Sequence, residues 1–253
     1  MDTNETKDGL FEALRNPEEV KRLTRRLAIL AVVSVIVCPL LLPADLLISR
    51  FIIHDAIPGD LKKAIDLSEI FGHGVGVAMT LMAFSILAPG RRWALPRLTT
   101  FAFGAGAIAT FLKLFVIRAR PYRYDLQNVT SSVVGKWTWD WDLQHVAVYD
   151  AGWRSFPSGH AATAFGLAFG LALLFPRGRM LFLTFAALAM IQRIFGQAHY
   201  ASDIVAGIAI GSIWCFICIH PRLLGGLFEQ IEPKSDSPSI TTTEQSEESR
   251  QAA

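Results

Sequence analysis

The chain has 253 residues, 52% of them hydrophobic and 18% charged, and a formal net charge of +2 at pH 7. So slight a charge excess, with no basic patch interleaved with aromatics, argues against a nucleic-acid partner, and the long uncharged runs argue against an ordinary soluble enzyme. Cys38, Cys215 and Cys218 all lie inside apolar runs, so neither a disulfide framework nor a zinc site is expected.

Residues 1–26 are polar and form the first segment, expected to be cytoplasmic. Asn16-Pro17-Glu18-Glu19 reads as N-cap, first helical position and acidic first turn, leading a short surface helix into Lys21, Arg22, Arg25 and Arg26. The first apolar run begins only after these residues and is followed by no small-residue cleavage site, so a cleaved signal peptide is a poor reading. Six spans of about 17–24 residues follow at 27–49, 70–88, 98–117, 159–176, 179–197 and 201–219. Glycine at 72, 74, 76, 104, 106, 166, 170, 207 and 211 suits close packing of membrane helices. The predicted fold is all-α: a polytopic membrane protein with six transmembrane helices in a bundle spanning 27–220. No internal repeat is visible. Residues 221–253 form a cytoplasmic tail, largely disordered from 233 onward, where Ser, Thr, Glu and Gln dominate.

Basic residues set the orientation. Lys21 to Arg26, Arg91 with Arg92 and Arg97, Arg177 with Arg179, and Arg222 share one side if there are six spans, and that side is then cytoplasmic. The other loops also carry Lys62, Lys63, Arg120, Arg154 and Arg193, an excess that an anionic substrate at an extracytoplasmic active face would explain.

Three segments place ionisable residues at that outer face, where each is costly unless it has a use. The first is Lys113 followed by Arg118, Arg120 and Pro121. Lys113 and Arg120 are seven apart and share a face if the helix persists to Pro121, making an anion clamp of one ammonium and one guanidinium fork. Snorkelling at the interface is the plainer reading. The second is Pro157-Ser158-Gly159-His160, where Ser158 caps a helix whose free N–H groups suit a phosphate and His160 is placed to protonate a leaving oxygen. Taken alone, Ser-Gly-His is ordinary capping. The third runs from Gln192-Arg193 to His199 and Asp203. His199 and Asp203 are four apart, so an aspartate can hold Nδ1–H of the imidazole and leave Nε2 free as a nucleophile.

Together, Lys113-(six residues)-Arg120-Pro121, Pro157-Ser158-Gly159-His160 and Arg193-(five residues)-His199-(three residues)-Asp203 resemble the type 2 phosphatidic acid phosphatase and vanadium-haloperoxidase superfamily, over roughly residues 70–220. One departure is Gln192, where that family usually has serine before the arginine; it can still donate a hydrogen bond to phosphate. The resemblance implies an integral membrane hydrolase of lipid phosphates or pyrophosphates. His199 would form a phosphohistidine with Asp203 orienting its ring, and His160 would protonate the leaving alkoxide. Lys113, Arg120, Ser158, Gly159 and Arg193 would bind the phosphate, with Gln192 and Arg118 as accessory candidates. No metal or other cofactor is implied, and vanadate is expected to inhibit. The implied setting is a bacterial inner membrane with a periplasmic site, an endoplasmic-reticulum enzyme facing the lumen being the alternative. The implied partners are the bilayer and a lipid phosphate: phosphatidic acid, phosphatidylglycerol phosphate, polyprenyl diphosphate or a lipid A phosphate. The sequence leaves oligomeric state open. Alternatives are a phosphotransferase with an alcohol acceptor, or a transporter using the basic cluster to bind an anion.

Other residues have plainer readings. His73 reads as a packing or outer-layer histidine, and His54, His145 and His220 as loop or interface residues. Trp137, Trp139, Trp141 and Trp153 read as interfacial anchors or as lining of a lipid entrance. Asp140, Asp142 and Asp150 are not spaced as a magnesium cage. Arg154 is a candidate headgroup contact, and Asn128-Val129-Thr130 has the glycosylation pattern.

Overall fold

A computed structural model of the chain describes residues 14, 16–54, 58–139 and 150–232. The tail 233–253, expected to be disordered, lies outside the described residues, as do Asp140, Trp141, Asp142 and His145.

The first helix, α1 (Pro17–Leu41), starts ten residues before the apolar run. Asn16 accepts a hydrogen bond from the Glu18 amide at 3.0 Å, and Pro17 needs no amide partner at the first position. A 3-10 turn over Leu42–Ala44, carrying Pro43, leads into α2 (Asp45–His54). The second predicted span, 70–88, is not straight. α3 (Gly59–Ser68) and α4 (Gly74–Leu87) meet at a 72° bend around a 3-10 turn, Glu69–Phe71. The bend packs tightly on a neighbour: a Cβ at Gly72 would lie 2.9 Å from the His160 carbonyl oxygen.

The third passage comprises α5 (Leu95–Thr99), a π-helical turn over Thr100–Gly104 and α6 (Ala105–Lys113). Here the helix stops at Lys113, four residues short of the predicted limit at 117 and well before Pro121, to which it would have to persist for the clamp. β-branched Val116 and Ile117 leave it to form β1 (Val116–Ile117), antiparallel to β2 (Thr138–Trp139). Lys113 and Arg120 therefore do not share a helix face, contrary to the sequence expectation. A single turn, α7 (Ser131–Val134), lies in the connecting loop. The last three spans agree with their predicted limits to within two residues: α8 (Gly159–Leu174), α9 (Arg179–Phe195) and α10 (Ala201–Ile219). A final α11 (Leu224–Ile231) follows.

Four helical stretches are long and apolar enough to cross a membrane: Pro17–Ile52, Pro89–Lys113, Pro176–Phe195 and Ala201–Ile219. Counting the bent pair as one span gives five, and α8 is a shorter apolar helix. The all-α membrane class thus stands, with four to five spans by length. α10 is the central one, since 61% of its apolar window is buried against 17–33% for the other three. It packs on α1 and α8, and their backbones come close because a Cβ at Gly207 would meet the Ser158 carbonyl oxygen at 2.5 Å. α1, α4 and α9 turn Val32, Ile36, Leu40, Met79, Met82 and Leu181 outward, a surface suited to lipid.

α8 also defines two ends of the bundle. At its C-terminal end the Leu174 carbonyl accepts Arg91 Nη1 at 3.2 Å. At its N-terminal end the Ser158 amide donates to the Asp203 carbonyl at 3.0 Å, and the motif residues gather there.

Candidate active site

Backbone hydrogen bonds join the three motif segments. The Arg118 amide donates to Trp153 O (2.9 Å), Ser155 N to Arg118 O (2.9 Å) and Arg120 N to Gly152 O (2.8 Å). This ribbon lays the first motif beside the chain entering the second. The amide of Tyr122 donates to Gln197 O (3.2 Å), and Ser158 N to Asp203 O links the second motif to the third. Such main-chain pairing satisfies polar groups that a loop at a membrane surface must not leave bare.

The third motif is a tight connection from α9 to α10. Gln197 adopts a left-handed conformation (φ 52°), and the amides of Ala198 and His199 both return to Arg193 O at 3.0 and 3.1 Å. Asp203, in the first turn of α10, takes the Tyr200 amide on Oδ2 at 2.9 Å. The same oxygen accepts Ser155 Oγ–H at 2.5 Å and stands 3.4 Å from His199 Nδ1. The predicted i, i+4 pair is thus assembled. Burial pushes the His199 imidazole pKa down to about 3, against the pull of the Asp203 hydrogen bond and with the Lys113 charge acting in the same direction as burial. The ring is held neutral, the form with a lone pair to offer.

In the second motif Ser158 caps α8 as predicted, its Oγ accepting the Ala161 amide at 3.3 Å. His160 lies in the first turn of α8, its ring 5.7 Å from that of His73, which in turn caps α4. His73, read as a packing or outer-layer residue, is a direct neighbour of His160. The nearest ion-pair partner of His160 Nε2 is Glu69 Oε1 at 3.6 Å, too far for a hydrogen bond.

Cations ring this place. Lys113 is buried at the end of α6, within electrostatic reach of Arg120, Arg193 and Asp203, and His160 lies within reach of Arg193 and Lys113. Buried donors without a hydrogen-bond partner among the described residues include Arg120 Nε, Arg193 Nε and His160 Nε2. Such orphans are costly unless something binds them, and the shared chemistry of these three fits an oxyanion. Arg193 Nη1 is engaged by Glu69 at 2.5 Å.

Two accessory candidates sit differently. Arg118 is sealed between the rings of Tyr200 and Trp137, with both terminal nitrogens committed to carboxylates, so neither is left for a substrate headgroup. Gln192 is buried in α9 with Oε1 unpartnered among the described residues. Arg154, the other candidate headgroup contact, donates to the Leu114 carbonyl at 3.0 Å and tethers the end of α6. Asp150 holds the turn before the second motif, accepting the Gly152 amide at 2.8 Å and pairing with Arg123.

Sequence reasoning missed Asp45, Glu69 and Ser155. Asp45 is the one acid in the apolar stretch from Leu27 to Ile52, a signal that an intramembrane charge needs a reason. Glu69 and Ser155 stand in polar surroundings and carry no such mark.

The chain belongs to the PAP2 superfamily, whose sequence profile matches residues 93–223. It is 32% identical over 137 residues to a lipid A 1-phosphatase of Rhizobium etli, covering 53% of each chain. A lipid A 1-phosphatase of Rhizobium johnstonii is 33% identical over 131 residues, covering 51% of this chain and 48% of that one. A decaprenylphosphoryl-5-phosphoribose phosphatase of Mycobacterium tuberculosis is 31% identical over 157 residues, covering 61% of this chain and 76% of that one. The chain thus spans about half the length of the two lipid A 1-phosphatases. No solved structure matches it significantly.

Proposed function

We propose that the protein is a membrane-embedded phosphatase of lipid phosphates that works through a phosphohistidine. The observation that carries this is a neutral, carboxylate-held His199 in one site with a second histidine, His160, and with Arg120 and Arg193, whose Nε donors have no hydrogen-bond partner among the described residues. His199 Nε2 attacks phosphorus in line, the bond to the leaving oxygen breaks, and His160 delivers the proton that oxygen needs. Water then attacks the phosphohistidine, giving its proton back to His160, and inorganic phosphate leaves. Lys113, Arg120, Arg193, Ser158 and the Gly159 amide hold the equatorial oxygens, whose charge must be offset before an electron-rich nitrogen can approach. The site residues supply nucleophile, acid and charge among themselves, so the reaction is proposed to be metal-independent.

A lipid substrate follows from the setting: the phosphate enters at one end of an apolar bundle while its tails stay in the bilayer. The names of the relatives make lipid A 1-phosphate the first substrate to try. In six passages, with the bent α3–α4 pair and α8 each counted as one, the basic residues at 21–26, 91–97, 177–179 and 222 share one side. By the positive-inside rule this supports termini in the cytoplasm and a site outside it, and the setting we propose is a bacterial inner membrane. The test is phosphate release by the detergent-solubilised chain in EDTA from lipid A, decaprenylphosphoryl-5-phosphoribose, phosphatidic acid and phosphatidylglycerol phosphate. Release that EDTA abolishes would end the metal-independent reading, and no release from any lipid would end the phosphatase reading.

A further inference from the structure

The first helical stretch contributes a charge to the catalytic centre. Asp45 opens α2 just after the Pro43 break, inside the apolar stretch Pro17–Ile52 and outside the residues that match the family. It is fully buried and both its oxygens are used. Oδ1 accepts the Ser202 amide at 3.0 Å; Oδ2 accepts Ser202 Oγ–H at 2.5 Å and Arg118 Nη2 at 2.6 Å. Arg118 Nη1 reaches the other way, to Asp203 Oδ1 at 2.5 Å and Ser202 Oγ at 2.8 Å. One guanidinium is therefore shared by two carboxylates, and the second of these holds His199.

Charge counting shows what the sharing does. With both carboxylates ionised, Asp45, Arg118 and Asp203 together carry one net negative charge, sealed from water. When His199 Nε2 bonds to phosphorus with Nδ1 still protonated, the ring becomes cationic, and that net charge stabilises it. Without Asp45, Arg118 alone would cancel Asp203, and the cationic ring would face a neutral pair. A simple staple of α2 onto α10 would not need this. α1 already packs along α10, with Cys38 Sγ–H donating to the Ser202 carbonyl, and a hydrophobic replacement for a buried ion pair is often no less stable.

We infer that Asp45 is a positioning residue of the phosphoryl-transfer site: through Arg118 it fixes the Asp203 carboxylate and leaves it a net charge with which to stabilise cationic His199. This rests on the phosphatase reading above. The test compares the full-length wild type, Asp45→Asn, and the double variant Asp45→Asn with Arg118→Gln, all in detergent. The single variant leaves the carboxylate network neutral, and the double variant restores one negative charge. Two readouts are taken: phosphate release, split into kcat and KM, and affinity for orthovanadate against inorganic phosphate. Vanadate is the probe for the bonded state because it can take a fifth ligand from an imidazole nitrogen, whereas phosphate binds without that bond.

In Asp45→Asn, kcat and vanadate affinity should each fall at least about tenfold, while KM and phosphate affinity stay within about twofold. The double variant should regain most of both losses despite carrying the extra substitution. If vanadate and phosphate weaken together, or if the double variant is no better than the single, Asp45 is only a staple and the inference is overturned. If the wild type binds vanadate but releases phosphate from no lipid, the phosphatase reading falls while the vanadate comparison still decides the role of Asp45. A wild type that binds neither anion overturns both. Where Asp45→Asn is not monodisperse, the double variant against wild type serves, since a loss there equal to that of His199→Ala contradicts the charge argument.

Discussion

The two histidines of the site live in opposite surroundings. His199 is 2% exposed and its partner Asp203 is fully buried, with every oxygen of that carboxylate committed. His160 is 28% exposed, its neighbour Glu69 is 36% exposed, and Nε2, the nitrogen that would meet a substrate, has no hydrogen bond among the described residues. On the proposed reading, one half of the site is thus finished before substrate arrives, and the other is left for substrate to complete. That division suits the chemistry. A nucleophile must be aimed in advance, because misplacement is costly, whereas an acid must make room for leaving groups of varied shape.

The contrast can be broken in several ways. His199→Ala removes the bond-forming atom and should cost on the order of 10⁵-fold in phosphate release, leaving vanadate affinity lost as well. Replacing the acid is milder: His160→Ala should cost about 10²- to 10⁴-fold, and less with an activated leaving group such as a nitrophenyl phosphate, which hardly needs the proton. If both variants lost equal activity on the activated ester, the assignment of His160 as acid would fail. Glu69→Gln separates the two tasks of the open half. Removing its charge frees Arg193 for phosphate but takes away the carboxylate that stands 3.6 Å from His160 Nε2, so KM should drop while kcat falls about tenfold. A rise in KM would show that Glu69 serves binding instead.

Protonation sharpens the contrast without any turnover. Since burial lowers the His199 pKa, its ring stays neutral while an ordinary histidine gains a proton, and it should show neutral-imidazole ¹⁵N shifts throughout about pH 5 to 8. The sign also bears on stability: over the interval from the ordinary value of 6.5 down to about 3 the unfolded chain binds the extra proton, so this group's contribution is present above pH 6.5 and is lost as pH falls. A ¹⁵N midpoint near the ordinary histidine value would mean that the pocket is wetter than the packing indicates.

How far the sequence went follows the range of the interactions involved. Ser158 capping α8 and the His199–Asp203 pair are local patterns, three and four residues long, and both are present as read. The Lys113–Arg120 clamp failed as a helical pattern because the chain turns into β1 at Val116, a choice made by pairing with Thr138 and Trp139 more than twenty residues away. Nothing local to Lys113 announces it. Glu69 lies some ninety residues from His160 and 124 from Arg193, and Asp45 is 73 from Arg118, so a lone acid in an apolar run can flag Asp45 but only tertiary structure could reveal the partners of either. The bend at Gly72 is legible only in part: glycine at 76 lets α4 close on the Ile70 carbonyl nearby, but the approach of Gly72 to the His160 carbonyl is a long-range contact.

The shortness of α8 reaches beyond the protein. Its sixteen residues rise about 24 Å, against the ~30 Å of a typical hydrocarbon layer. With this helix as one of the passages, as the proposed topology has it, the layer would thin around it, or the end capped by Ser158 would lie sunken beneath the headgroups. On the phosphatase reading, catalysis would then take place at the bottom of a dimple, where a lipid brings its phosphate down to the protein instead of climbing out. Turnover in reconstituted vesicles should accordingly follow the acyl length of the host lipids, faster in thin bilayers than in thick ones, because each ångström of mismatch costs a fraction of a kcal/mol. Membrane thickness becomes a ligand of the enzyme in all but name.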